Sequence, residues 1–593
     1  MVHILLRIWG IAVLLVGAVY GNSVRPESSA PTVIDVTSFG AHSGDGSDAT
    51  PAVRAALSRC GGLGAKRLVF PAGRYDFWPD RAAEKYVYAS NNDSALKRIA
   101  FLLDNLNAIE IDGQGSTFIF HGEIDPFVLE HSHNVTLRNL SIDWKRPFTN
   151  EALITAVHDG GIDLEISPQF PYRVNKGLLF FLGENGQSCG RRNRDACPVG
   201  DLLEFNTEKH ETAYMVHDFY YSPYIPASVI GPGRVRIVEP GFKPTAGNTL
   251  VFGMTNRDYP AITVSDSTSI KLQDVTIHHC GGMGFIAQRS RDIELDGVKV
   301  TPSNGRVVSL PADATHFVNC SGHIIMRNCL FENQLDDATN IHGLYAQITS
   351  RVSSNEIEVR LVNPQQRGID FISSEEKIEF VHSDSLVTYG EAEVKTVSRL
   401  NDEYTRVVFD TPLPEGLRDG DAIAVTASYP DVLIRDCIIR SNRARGLLLG
   451  SRGKIVIENN TFHTPGSAIL MEGDARYWFE QAGVRDLLIQ KNTFENCNFG
   501  VWGKAIIAVG SGIQSSARSI SRYNRNIVIE DNLFRMFDQG PIVLAYSVDG
   551  MTIRNNRIER TAAYPARSET GSQFDVTNSD HVSIEEPRWH ILK

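Results

Sequence analysis

The sequence predicts an all-β protein: a parallel β-helix solenoid carrying two inserted antiparallel β-barrel or sandwich domains. Three observations lead there. A short apolar pattern, two alternating positions, a two-residue bend and two more alternating positions, occurs nine times along the chain. Four successive copies carry Asn at the same place. Two long gaps between copies are filled by short alternating runs of the antiparallel kind.

The N-terminus comes first. Arg7 precedes an apolar run from Ile8 to Val19, and Val19-Tyr20-Gly21 offers small residues for cleavage. Residues 1–21 therefore read as a secretory signal, too short for a comfortable span. The expectation is a secreted or periplasmic protein, without stable membrane insertion once the signal is removed. A net charge of −12 over 593 residues excludes the basic excess that a nucleic-acid partner needs. Eight Cys in so long a chain do not form a disulfide framework. Cys189 and Cys197 flank a polar loop and could pair, and no spacing resembles a zinc site. No metal and no cofactor are expected.

Residues 22–148 are assigned to an N-terminal cap and the first coils. Asp48 or Thr50 can cap a helix from Pro51 to Cys60, and Leu68-Val69-Phe70 follows as a strand. This order resembles the cap of the pectate-lyase-like right-handed β-helices, whose first rung must be covered.

The repeat itself is Val135, Leu137, Leu140, Ile142, returning from Ile270, Ile293, Ile324, Val432, Ile455, Leu487, Ile527 and Met551. Alternation inside each half gives strands; the skipped pair gives the bend. Asn460, Asn492, Asn532 and Asn556 take the third position, where inward amides can form a stacked ladder. Coils of 23 and 24 residues alternate with coils of 31, 32 and 40, so the excess must leave as loops at corners. The gaps define inserts at 149–255 and 344–428, leaving coils at 256–343 and 429–593.

The chemistry is expected at Asn333-Gln334-Leu335-Asp336-Asp337-Ala338-Thr339-Asn340-Ile341-His342-Gly343. Paired carboxylates serve glycoside hydrolysis as acid and base. By count from the start of each coil, the pair shares a height with Gly282-Met283, Ala444-Arg445 and Ser467-Ala468, while Asp313 falls at another height. Arg445 can orient a carboxylate from the coil above, and His342 can bind substrate. A lengthened coil brings Asp474, Tyr477, Trp478 and Glu480 to the same face, as aromatic platform and hydroxyl-binding acids.

Together with Tyr75-Asp76-Phe77-Trp78-Pro79, Ile111-Asp112-Gly113-Gln114-Gly115, Phe120-His121-Gly122, Leu140-Ser141-Ile142-Asp143-Trp144, Ala312-Asp313-Ala314-Thr315-His316-Phe317, Asn442-Arg443-Ala444-Arg445-Gly446 and the Asp474 to Glu480 segment, these residues resemble family 110 of the glycoside hydrolases, the α-1,3-galactosidases. The resemblance covers most of the mature chain and matches that family's acidic trio with Asp313, Asp336 and Asp337. It implies a secreted, metal-independent, inverting exo-enzyme that releases terminal α-1,3-linked galactose from glycans of the blood-group-B type or linear α-galactosyl chains. Two other readings compete. A polygalacturonase-like hydrolase would want a basic cleft, and a non-catalytic carbohydrate-binding β-helix would need no clustered acids.

Overall fold

The computed structural model describes residues 31–61, 64–184, 201–219, 225–238, 241–253, 257–568 and 571–585, and the backbone of 588–590. The signal segment and the Cys189–Cys197 pair lie outside them. Two long sheets, of 22 and 13 strands, face each other across one continuous apolar core; the first is parallel, and so is the second apart from the antiparallel pairs Ala83–Val87 with Ala95–Asp104 and Thr339–Leu344 with Glu480–Gln481.

Coil stacking follows the repeat residue for residue. Ile270, Ile293, Ile324, Val432, Ile455, Leu487, Ile527 and Met551 stand one above another in the first sheet, each pointing inward and buried. The first sheet begins three strands before the repeat becomes legible, with Thr32–Asp35 beside Lys66–Val69, that strand beside Asn107–Phe120, and Asn107–Phe120 beside His133–Trp144. Asn107–Phe120 was hidden because Gly113-Gln114-Gly115 replaces its bend and shifts the register between Asp112 and Ser116. The cap helix runs Thr50–Cys60 with Pro51 in its first turn, and Asp48 Oδ1 accepts from the Thr50 and Trp78 N–H groups.

The inward asparagines form a ladder. Asn460 Oδ1 accepts from the Cys437 N–H, Asn492 Oδ1 from Asn460, Asn532 Oδ1 from Asn492, and Asn556 Oδ1 from Asn532, at 2.9–3.0 Å. Each Nδ2 donates to a backbone carbonyl in the preceding coil, for example Asn492 to Ile457. The bend leaves these backbone groups without strand partners, and an unpaired buried one costs about 1–3 kcal/mol.

The first insert folds as nine antiparallel strands from Asn150–His158 to Thr249–Phe252 around its own core. The second is a closed six-stranded barrel running from Ala346–Arg351 to Ala422–Val425. Neither insert breaks the stack. Thr339–Leu344 pairs directly with Leu447–Leu449, although the whole second barrel lies between them in the chain.

Candidate active site

The register of the second sheet brings the acids together. Thr315 stands beside Thr339, and Thr339 beside Leu447. Two residues before each of these come Asp313, Asp337 and Arg445, so the three occupy one column in successive coils about 4.8 Å apart. The Ala314 N–H donates to the Asp337 carbonyl, locking that alignment. This corrects the expectation that Asp313 lies at another height. Of the eight residues by which the Ile293–Ile324 coil exceeds the standard 23, seven sit at the corner before Asp313 and one in the register shift between Ser321 and Ile324, so counting from the coil start overshoots. A smaller slip affects the next coil: Leu447 pairs with Ile469, which aligns Arg445 with Ser467 and Ala444 with Gly466. Asp336 and Asp337 lie in a bend ahead of their strand, which lets both neighbouring side chains reach the same cluster.

Asp313, Asp336 and Asp337 each place one oxygen within 4.8 Å of the others. Such a trio could hold a cation, but guanidinium groups already occupy two of its members. Arg445 Nε and Nη2 donate to Asp337 Oδ1 and Oδ2, each at 2.9 Å, and the Arg445 N–H adds a third bond at 3.1 Å. Arg257 pairs with Asp336 Oδ2, while Arg443 Nη1 stands 3.7 Å from Asp336 Oδ1. A second acidic group, Asp104, Glu130 and His131, is more exposed and holds Lys85.

Burial differentiates the three carboxyls. It pushes Asp313 up to about 8, with the Asp336 charge adding to it. It pushes Asp337 up to about 7, and Arg445 is what keeps that value from rising further. Burial also works against the Asp336 carboxylate, but Arg257, Arg443 and Arg445 outweigh it and hold Asp336 below the ordinary range.

A chain of hydrogen bonds places the cluster's proton. His342 Nδ1 meets the Gly343 carbonyl at 2.7 Å, His342 Nε2 meets His316 Nε2 at 3.0 Å, and His316 Nδ1 meets Asp313 Oδ2 at 2.7 Å. A carbonyl only accepts, so His342 Nδ1 carries a hydrogen. Burial holds His316 well below its usual range, so its ring is neutral and carries a single hydrogen. Asp313, pushed up to about 8, keeps its own proton at neutral pH, so the Asp313 hydroxyl donates to a bare His316 Nδ1 and His316 Nε2 donates to His342 Nε2. These tautomers follow from the partners each nitrogen faces.

The other sequence-predicted residues divide. Glu480 reaches the cluster: Asn91 and Asn340 donate to its two oxygens at 3.2 and 3.4 Å, and its carboxyl stays below the usual range despite burial, with the Asn340 bond and the Arg445 charge contributing. Tyr477 and Trp478 are exposed beside it, ring centroids 5.0 Å apart. Asp474 is corrected. Its oxygens accept from the Arg476, Tyr477 and Trp478 N–H groups, so it builds the aromatic loop rather than facing a sugar. His342 is corrected too, since it is buried with both ring nitrogens engaged by protein. Sequence reasoning gave no role to His316, Arg443, Asn340, Arg257, Asn91 or Asp218. The first three lie in segments already singled out, within three residues of an assigned side chain. The others come from distant chain. Asp218, on the first insert, accepts from Arg443 Nε at 3.0 Å and from Trp502 Nε1 at 3.2 Å, pinning Arg443 beside Asp336.

The two inserts match the family models described as GLAA-B beta-barrel domain I, over 150–250, and GLAA-B beta-barrel domain II, over 356–423; residues 421–586 match a right handed beta helix region. Alpha-1,3-galactosidase A of Shewanella woodyi is 37% identical over 92% of this chain and 89% of its own. The chain belongs to the α-1,3-galactosidase family of glycoside hydrolases. Alpha-1,3-galactosidase B of Bacteroides thetaiotaomicron is 34% identical over 90% of this chain and 87% of its own. The A and B relatives thus align along nearly the whole solenoid and both inserts, and a carbohydrate substrate follows from the family. Among the described residues no helix is long and apolar enough to cross a membrane.

Proposed function

We propose that the chain is an exported exo-acting hydrolase that releases terminal α-1,3-linked galactose from glycans of the blood-group-B type or linear α-galactosyl chains, with Asp313, Asp336 and Asp337 as its acid–base machinery. One observation carries the reading. In one buried cluster a protonated carboxyl, Asp313, stands within 4.8 Å of an ionised one, Asp336. General acid–base hydrolysis needs both a proton to give and a carboxylate to receive one. Glu480 and the Tyr477–Trp478 pair supply hydroxyl recognition and a stacking face beside that cluster. The charge on Arg257, Arg443 and Arg445 is matched by Asp336, Asp218 and Asp337, which speaks against a cleft built for a polyuronate.

Stereochemistry is the sharper part of the proposal. The short spacing, taken alone, suits a retaining pair, for which carboxyls stand about 5–5.5 Å apart. Of the three, only Asp337 has both oxygens engaged, by Arg445; Asp313 and Asp336 are each tied at Oδ2, to His316 and to Arg257. Inversion is carried by the resemblance to family 110, whose acidic trio matches Asp313, Asp336 and Asp337. Purified protein mixed with an α-1,3-galactosyl disaccharide should release β-galactose first by proton NMR. Absence of hydrolysis refutes the substrate, and α-galactose appearing first refutes inversion. Sequencing the N-terminus of the exported protein tests cleavage after residue 21.

A further inference from the structure

We propose that Tyr86 and Tyr88 form a second sugar-binding platform, outside the galactose pocket, that takes a pyranose from the reducing-side portion of the glycan. The inference rests on the proposed reading of the pocket and extends it along the substrate. Tyr86 and Leu96 face each other across the antiparallel pair Ala83–Val87 and Ala95–Asp104, and are 51% and 63% exposed. Tyr88, two residues on, is 37% exposed, its ring centroid 4.8 Å from that of Tyr86. Three large apolar side chains clustered on the surface of a short hairpin are costly unless something covers them.

The platform is rigidly built, and both inputs to it are specific. The Arg399 guanidinium of the second barrel lies 5.1 Å from the Tyr88 ring centroid and is tied in turn to Asp370. Gly368 has φ +87°, and a Cβ there would meet the Tyr88 ring at 2.1 Å, so only glycine lets the barrel close on the tyrosine. The Tyr88 carbonyl and the Ser90 N–H are held by the two ends of the Gln288 amide, at 2.6 and 2.9 Å.

Continuity with the pocket identifies the occupant. Three residues after Tyr88, at most about 10 Å of chain, Asn91 donates to Glu480 inside the cluster. The Asn91 N–H donates to the Gln365 carbonyl, and Gln366 Nε2 donates to the Trp478 carbonyl at 2.8 Å. The turn Pro364–Gln366, with Gly368 just beyond it, thus touches both aromatic pairs and joins Tyr86–Tyr88 to Tyr477–Trp478 in one rim around the pocket. A glycan whose terminal galactose sits among the aspartates can extend across that rim. Its next sugars have no charge to offer, but each has an apolar face that a tyrosine ring and a leucine can cover.

The test uses the Asp336→Asn chain, which should hold substrate unbroken, and calorimetric titration with two ligands: the α-1,3-galactosyl disaccharide and a pentasaccharide ending in it. The pentasaccharide should bind about tenfold more tightly, roughly the effect of covering 50 Å² of apolar surface. Adding Tyr86→Ala should remove that advantage and leave the disaccharide affinity unchanged; Tyr88→Ala should do the same. Tyr86 is half exposed, so its variant folds irrespective of the barrel contact that Tyr88 makes. No length advantage in the Asp336→Asn parent overturns the proposal, as does an advantage that survives Tyr86→Ala, or an equal loss for both ligands. Failure of the unaltered chain to hydrolyse the disaccharide would instead strike the proposed activity, while the calorimetric comparison would still decide the platform.

Discussion

Removing the guanidinium of Arg445 should cost the enzyme about a hundred- to several-thousandfold in kcat at pH 7 while leaving the coil stack in place. Asp337 is 3% exposed, and the Arg445 guanidinium supplies two of its three hydrogen bonds, the Arg445 N–H the third. Breaking one side of a buried ion pair costs about 3–5 kcal/mol, because the remaining charge is left uncompensated. At 1.36 kcal/mol per factor of ten, that lowers the carboxylate population of Asp337 about a hundred- to several-thousandfold. Asp337 already stands at about 7 with Arg445 in place, so in Arg445→Gln it would be neutral throughout the physiological range. The sign is fixed: a group needed as a carboxylate loses function as its pKa rises, and raising the pH should restore it. The assay is kcat against pH from 5 to 9 per folded molecule, with folding checked by circular dichroism. The ascending limb should move alkaline in Arg445→Gln and less so in Arg445→Lys, which keeps the charge but not the parallel pair of bonds. A variant within threefold of the parent, with an unmoved profile, would show that Asp337 does not work as a carboxylate.

Asp313→Asn, Asp336→Asn and Asp337→Asn should each lower kcat about a thousandfold without changing far-UV dichroism, since an acid–base group and its placement are lost together; near-parental turnover in any of them removes that residue from the machinery. Asn492→Ala should lower unfolding free energy by about 1–3 kcal/mol by leaving the Asn460 N–H and the Ile457 carbonyl without their partners, with kcat unaffected; an unshifted denaturant midpoint would mean that the ladder is ornamental. Asp125 is fully buried and pushed up to about 7 by that burial. The native state therefore binds more protons than the unfolded state between about pH 4 and 7, and stability falls as pH rises through that window. Asp125→Asn should reduce the drop in melting temperature between pH 5 and 7.5; an identical drop would place the titration elsewhere.

The solenoid was legible because its constraint is periodic. An inward residue of one coil must stack on that of the next, so Ile324 and Val432 could be matched across an 85-residue insert without knowing what the insert does. The acids were legible as residue types, but their mutual placement was not, and the reason is specific. Length added at a corner shifts every count made from one side of it, and Asp313 sits immediately after such an addition. Counting backward from the strands that follow, Thr315 and Thr339, puts Asp313 and Asp337 on one column. Asp474 misled for a related reason. A carboxylate in a lengthened loop looks available for ligand, yet the turn that presents Tyr477 and Trp478 needs an acceptor for its own N–H groups and uses Asp474 for it. Arg257, Asp218 and Asn91 had no periodic signal at all: they come from the margin or interior of the first insert and from the cap, segments that reach the cluster only after folding. This divides the labour within the molecule. Coils fix the spacing of the carboxyls along one axis, whereas chain from outside the regular coils supplies partners that set their charge, Arg257 directly on Asp336 and Asp218 through Arg443. Substitutions in the first insert should therefore alter the pH dependence of turnover before they alter the solenoid, since what the insert contributes to the site is charge rather than spacing.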